Sequence, residues 1–215
     1  MKIGANMNEI IDFKNKIDYK KIEQIGYSIK NGGVVVFPTE TVYGIGTNGL
    51  NEKAVEKLYK IKQRPLTKPI SLLVSNFEMI DIIAKDVTEI EYKIMKKFFP
   101  GPLTIILNKK DCVPSIVTAN GDTVGVRMPE NDIALQIIEK SGVPIATPSA
   151  NISGKPSGTN IKMIMQDFKN QVDYFIDNGE SKIGRPSTII KVENEQIKVL
   201  RQGSITKEQI IKEIF

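Results

Sequence analysis

The chain of 215 residues has no histidine, no tryptophan and a single cysteine, Cys112. Without histidine there is no Ser-His-Asp triad, no Cys-His dyad and no imidazole metal ligand. One cysteine builds neither a disulfide framework nor a cysteine-type zinc site. Chemistry therefore falls to lysine, arginine, carboxylates, hydroxyls, amides and backbone N–H groups, with carboxylate- or phosphate-bound magnesium as the metal such groups accept. Long apolar runs are missing too. Segments such as Val34–Phe37 are about five residues at most, against the roughly 20 of a membrane-spanning helix. Asn6, Asn8, Glu9 and Asp12 interrupt the start, where a secretory signal would carry its apolar region. The expectation is a soluble, cytoplasmic protein without a membrane partner.

What is present fits one sizeable domain. The mass is 24.0 kDa, with 40% hydrophobic and 26% charged residues, enough to bury a core. Residues 10–215 read as a single domain and residues 1–9 as a polar extension, within which Met7 is a second candidate start. Net charge is +5 and the sequence pI near 9.1, which favours an anionic partner: nucleotide, RNA or phosphorylated metabolite. Lysine outnumbers arginine 26 to 4. The four arginines, Arg64, Arg127, Arg185 and Arg201, are candidates for places that need a planar two-point fork rather than a point charge.

Helical and strand patterns alternate and then strands accumulate, which indicates an α/β domain with a mixed, twisted sheet and flanking helices. Ile10–Phe13 reads as an edge strand. Asp18 opens a helix that carries Ile22, Ile25 and Ile29 and stops at Gly32-Gly33. Val34–Phe37 and Ile70–Val74 read as buried strands, and Asn51 caps a helix with Val55, Leu58 and Ile61 on one face. Helices are expected over Phe77–Ala84, Thr88–Phe99, Asp132–Lys140 and Ile161–Phe168, and from Thr206 to Phe215. Strands are expected at Leu103–Leu107, Thr123–Arg127, Pro144–Ala146, Asp173–Ile176, Thr188–Val192 and Ile197–Leu200, the last two joined at Glu193–Glu195.

Two motif lookalikes fail on context. Gly44–Gly49 fits GxGxxG, but six residues separate it from the preceding strand and no acidic residue closes a second strand at Ser75-Asn76. Gly154-Lys155-Pro156-Ser157 lacks the upstream glycine of a phosphate-binding loop. The segment Pro38–Gly44 stands apart. It leaves a buried strand, where open α/β sheets place ligands, with two hydroxyls, a carboxylate and a phenol in seven residues. Lys62-Gln63-Arg64-Pro65 ends a helix, where cations answer the dipole or, with Lys68, hold a polyphosphate. Pro148-Ser149-Ala150-Asn151 reads as a solvated turn or as a set of small donors for phosphate oxygens. At a helix end, Lys62 and Arg64 are both expected outside the core.

Eight segments in order resemble one family, the YrdC-like threonylcarbamoyl-AMP synthases in their short single-domain form. They are Pro38–Gly46, Lys62–Pro65, Lys68–Val74, Pro100–Thr104, Thr123–Pro129, Pro148–Asn151, Ser187–Ile189 and Leu200–Gly203, within a likeness running from Ile10 to Ile214. The resemblance implies an α/β twisted open sheet with a concave, positively charged face. It also implies a nucleotidyltransferase that makes L-threonylcarbamoyladenylate and pyrophosphate from ATP, L-threonine and bicarbonate. Magnesium would accompany ATP, no organic cofactor would be tightly bound, and the product would pass to a complex that modifies tRNA to threonylcarbamoyladenosine. Carried over residue by residue, it gives Lys62, Arg64, Ser149 and Asn151 as catalytic, with Arg64 and Ser149 also binding ATP. Lys68, Thr123, Ser157 and Arg201 fall on further ATP positions, and Thr41, Arg127, Thr147 and Ser187 on threonine positions. No metal ligands are implied. Some members have a histidine near Leu73 that this chain lacks. Arg127 suits a bidentate hold on the threonine carboxylate. Competing readings are a double-stranded RNA- or tRNA-binding module without adenylation activity, and a carbamoyl-adenylate-forming module fed by carbamoyl phosphate. RNA affinity fits the basic balance, though few aromatics are available for base stacking.

Overall fold

The computed structural model describes residues 8–214, so Met7, most of the polar extension and Phe215 lie outside the described residues. Its strands form one mixed sheet in the order β1-β9-β2-β3-β8-β4-β7-β6-β10-β11, with β5 on β6. The strands are β1 (Glu9–Asp12), β2 (Val35–Phe37), β3 (Gly44–Asn48), β4 (Leu72–Leu73), β5 (Ala84–Lys85) and β6 (Leu103–Lys109), then β7 (Thr123–Arg127), β8 (Ile145–Ala146), β9 (Tyr174–Asp177), β10 (Thr188–Glu193) and β11 (Gln196–Arg201). The helices are α1 (Tyr19–Lys30), α2 (Glu52–Lys62), α3 (Phe77–Ile83), α4 (Glu89–Phe98), α5 (Asp132–Ser141), α6 (Ile161–Phe168) and α7 (Lys207–Ile214). No described helix is long and apolar enough to cross a membrane.

Helix starts follow local chemistry. The carboxylate of Asp18 accepts from the amides of Lys20 and Lys21, and Asn51, Asn76, Asn131 and Asn160 each accept from the amide three residues on. Thr88 and Glu91 close a reciprocal capping box. Ile22, Ile25 and Ile29 of α1 are fully buried. A Cβ on Gly26 would lie 2.7–2.9 Å from Lys140 and Ser141, so this glycine lets α1 cross α5 closely.

The structure departs from the expected elements in three places. First, β3 lies inside the GxGxxG lookalike. Gly44 and Gly46 leave room for Thr147 and Ile145, whose side-chain atoms would sit 2.6 Å from an added Cβ. Glycine weakens strand propensity, and here the close approach of the β8 segment outweighs that. Second, the expected strand Ile70–Val74 shortens to Leu72–Leu73, its flanks bonding irregularly through Ile70 N–H to Val117 O and Val74 N–H to Arg127 O. Third, Ala84 leaves the expected helix to pair, with Lys85, against β6.

The β10–β11 hairpin turns at Asn194-Glu195, whose φ values of 50° and 61° match a two-residue hairpin turn with both central residues left-handed. Its ladder then contains a bulge. Ile190 faces Val199, yet Ile189 faces Arg201, so Leu200 is the extra residue. Simple alternation would put Arg201 on the core side with Ile197 and Val199. The bulge turns it to the opposite face.

Candidate active site

Strand register builds the floor of the site. Leu73 pairs with Arg127, Thr104 lies opposite Arg127 by continuation of the Ile105–Val126 pair, Ile189 pairs with Thr104, and Arg201 with Ile189. Side chains on one row across a sheet share a face. All five line one cavity of about 150 Å³. The loop after β2 adds Thr41 and Val42, the end of α2 adds Arg64, the segment after β8 adds Thr147 and Ser149, and the segment before β10 adds Ser187.

Three of the chain's four arginines thus converge. Arg64 donates from Nε to Lys68 O at 3.0 Å and from Nη2 to Pro69 O at 2.8 Å. Arg201 donates from Nε and Nη2 to Ser187 O, and from Nη2 to Ser187 Oγ at 3.1 Å. The Ser187 hydroxyl in turn shares a 2.8 Å hydrogen bond with that of Thr104. Burial pushes the guanidinium pKa values of Arg64, Arg127 and Arg201 down, and at Arg201 the neighbouring charges of Arg127 and Arg64 push further. Like charges held this close favour an anion between them. Arg185 is exposed and does not line the cavity.

Arg127 is almost entirely buried. Its Nε donates to Gly101 O at 3.2 Å, and its Nη2 lies 2.7 Å from Glu40 Oε2. That contact is an ion pair without hydrogen-bond alignment, since Nη2 and both Glu40 oxygens are buried with no hydrogen-bond partner. Glu40 itself is not a wall of the cavity. None of the lining side chains is a carboxylate. Among the described residues no group of three or more His, Cys, Asp or Glu could hold a metal ion. The donor set therefore suits phosphate and carboxylate oxygens.

The loop Pro38–Tyr43 is tied down by its own hydroxyls. Thr39 Oγ1 donates to Val42 O at 2.6 Å and shares a 2.9 Å hydrogen bond with Thr41 Oγ1. Tyr43 OH donates to Gly179 O, and burial pushes its pKa up to about 12. The amides of Ile183 and Gly184 donate to Glu40 O and Thr41 O, which fixes the 178–187 segment against this loop.

Seven expected site residues meet at the cavity: Thr41, Arg64, Arg127, Thr147, Ser149, Ser187 and Arg201. The other five do not line it. Thr123 shares the face of Arg127 but starts β7, roughly 13 Å back along the strand. Lys68 is exposed, and its carbonyl supports Arg64. Ser157 is half-buried just ahead of Gly158, whose carbonyl accepts from Tyr43 N–H. Asn151 is committed to its own loop, accepting from Ser149 Oγ at 2.6 Å and donating to Ile152 O and Lys155 O. Thr104 and Ile189 were missed as site residues, since their placement needs the pairing partners. Glu40 was visible only as one functional group of a crowded loop.

Lys62 corrects the expectation that it sits outside the core. It is 1% exposed, and its ammonium donates to the carbonyls of Ser149 and Asn151, 6.0 Å from the centre of the Phe168 ring. It braces the Ser149–Asn151 segment from beneath. Burial pushes its pKa down to about 7, with the Arg64 charge acting the same way, while the two carbonyl acceptors favour the charged form. Between that value and the ordinary lysine range the unfolded chain binds a proton that the folded chain does not, so stability should climb with pH through this window. Unfolding of the parent and of Lys62→Met at pH 7, 8 and 9 tests this. The parent should gain on the variant by up to about 1.4 kcal/mol per pH unit. A difference independent of pH would mean that the carbonyls keep the ammonium charged throughout.

A family model covering the Sua5, YciO and YrdC proteins, described as telomere recombination, matches residues 28–203. The threonylcarbamoyl-AMP synthase of Pyrococcus abyssi is 43% identical over 208 residues, which is 97% of this chain and 61% of that protein. The Bacillus subtilis protein of the same name is 40% identical over 191 residues, 88% of this chain and 55% of that one. This chain therefore spans little more than half the length of these two relatives. The structure of P. abyssi Sua5 complexed with L-threonine superposes with a TM-score of 0.93, covering 96% of this chain and 61% of that one at 43% identity. Escherichia coli YciO superposes with a TM-score of 0.82 at 25% identity and matches end to end, over 97% of this chain and 99% of the other.

Proposed function

Because this chain belongs to the Sua5, YciO and YrdC family, we propose that it is a threonylcarbamoyl-AMP synthase, forming L-threonylcarbamoyladenylate from L-threonine, bicarbonate and ATP. The observation that carries the reading is the meeting of Arg64, Arg127 and Arg201 with the hydroxyls of Thr147, Ser149 and Ser187 on one cavity without carboxylates, in a chain without histidine. Threonine's amine, as free base, combines with bicarbonate to give a carbamate and water. A carbamate oxygen attacks the α-phosphorus of ATP, the α–β anhydride bond breaks, and pyrophosphate leaves. The attacking group is already anionic, so the step needs no histidine base. It needs positioning and neutralisation of charge, which fixed guanidinium groups and hydroxyls supply.

In this reading Arg64 and Arg201 face the phosphates and Arg127 faces the threonine carboxylate. Thr147 and Ser187 contact the amino acid, with Thr41 shaping its wall. Lys62 and Asn151 act by holding the Ser149 loop in shape, and Lys68, Thr123 and Ser157 border the path of the nucleotide. Magnesium enters on the phosphates of ATP, since the cavity wall offers it no carboxylate. The adenylate then serves a tRNA-modifying partner in the cytoplasm.

Release of pyrophosphate by purified protein tests the proposal. It should need ATP, threonine, bicarbonate and magnesium together, and omitting threonine should lower the rate at least tenfold. Equal release without threonine, or RNA binding with no release at all, would remove the assignment.

A further inference from the structure

Six hydroxyl side chains line the cavity: Thr41, Ser71, Thr104, Thr147, Ser149 and Ser187. Each hydroxyl has one proton to give, so the destination of every proton can be followed. Thr39 gives its own to Val42 O, which makes Thr41 the donor in the bond between the two threonines. Thr147 donates to Ile145 O at 3.1 Å and Ser149 to Asn151 Oδ1 at 2.6 Å. Thr104 and Ser187 use one proton between them, whichever donates, and keep the other. Ser71 is the one lining hydroxyl whose Oγ has no hydrogen-bond partner among the described residues. Most of the wall has committed its protons to the protein. Ser71 has not.

The backbone fixes where that proton is. Ser71 precedes β4 by one residue, and its carbonyl accepts from Thr147 N–H at 2.9 Å. The Leu72–Val126 pair, continued by one residue, sets Ser71 opposite Gly125. Alternation puts the serine side chain on the face of Leu73, a wall of the cavity. An added Cβ on Gly125 would lie 2.7 Å from Ser71 Oγ and 3.3 Å from Thr104 Cγ2. The serine hydroxyl therefore lies over the glycine, and Thr104 on β6 borders the same place. A side chain at position 125 would push that hydroxyl aside. The two places with a proton to spare, Ser71 and the Thr104–Ser187 pair, thus flank one glycine of the cavity floor.

We infer that Ser71 is a substrate-binding residue whose hydroxyl donates to an anionic oxygen, carboxylate or phosphate, and that Gly125 keeps the room it needs. A donor without a protein acceptor gains its hydrogen bond when the ligand arrives and gives up nothing within the protein for it. Thr147 and Ser149 must first release Ile145 O and Asn151 Oδ1 before they can donate. The guanidinium groups of Arg64, Arg127 and Arg201 on the same wall set the sign of the charge on that oxygen. The inference rests on the adenylate-forming reading for the two ligands that supply such an oxygen, threonine and ATP.

The test is Ser71→Ala, with Gly125→Ala as a second way to move the same hydroxyl. Thermal unfolding is followed without ligand, and binding of threonine and of ATP with magnesium is measured by calorimetry. Ser71→Ala removes no side-chain bond within the protein, so its thermal midpoint should equal that of the parent. Its affinity should fall about ten- to a hundredfold for one ligand, the loss of one hydrogen bond to a charged acceptor. Affinity for the other should stay within about threefold. Loss confined to threonine assigns the oxygen to a carboxylate, and loss confined to ATP assigns it to a phosphate. Gly125→Ala should weaken the same ligand, yet add less than about threefold in the Ser71→Ala background, where the hydroxyl it displaces is gone. If Gly125→Ala does not fold, Ser71→Ala carries the test. A lowered midpoint in Ser71→Ala, an equal loss for both ligands, or a loss under about threefold for each would overturn the inference. A parent that binds ATP and never threonine overturns the functional reading alone, and unchanged ATP affinity in Ser71→Ala then overturns the inference as well.

Discussion

Arg64→Ala should lower adenylate formation by about 10²- to 10³-fold, the loss typical of removing one fixed donor from the charge developing at a transition state. The fold should survive. Arg64 is half-buried beyond the end of α2, and its hydrogen bonds go to the carbonyls of Lys68 and Pro69 rather than into the core. Arg64→Lys makes the comparison sharper. Lysine keeps the charge but cannot hold both carbonyls and face a phosphate at once, so turnover should fall between parent and alanine variant. Rates at saturating substrates, read beside thermal midpoints, separate the outcomes. Turnover near that of the parent in Arg64→Ala would move phosphate binding away from Arg64.

Gly203→Ala should have the other large effect, on stability and activity together. An added Cβ would sit 2.3 Å from Thr188 N, 2.4 Å from Ser187 C and 2.5 Å from Pro186 O, all of them backbone. No rotamer relieves that crowding. The contact is also a hub: Thr188 Oγ1 accepts from the amides of Gly203 and Ile205 and donates to Ile205 O at 2.6 Å. Forcing the two segments apart should cost about 3 kcal/mol, the upper end for overpacking a well-packed site. It should also part Ser187 from Arg201. Urea midpoints and turnover should fall together, and a variant as stable and active as the parent would show that the 203–205 segment shifts freely.

Much of this was legible in the sequence, for identifiable reasons. Strong periodicity placed α1 and α2, and Asp18 and Asn51 marked their starts because those side chains satisfy orphan amides. The scarcity of arginine against 26 lysines pointed to residues of which three now share a cavity. What escaped depended on tertiary pairing. The glycines of β3 read as a loop because their value lies in what Thr147 and Ile145 occupy. Lys62 read as a surface cation because helix position reveals nothing of the Ser149 and Asn151 carbonyls that fold over it. Glu40 lay in a segment already noted for its functional groups, but its partner is 87 residues away in sequence.

The bulge at Leu200 makes the delivery of Arg201 a matter of parity. Since Ile189 already faces Arg201 across the extra residue, a chain lacking that residue would run as a regular ladder and present its arginine at the same place. A one-residue gap at this point of an alignment is therefore silent for the cavity. A single insertion or deletion that leaves no bulge to absorb it turns the arginine into the core, because side chains alternate along a strand. Homologous chains should be matched here by the face each residue occupies, with letter identity second.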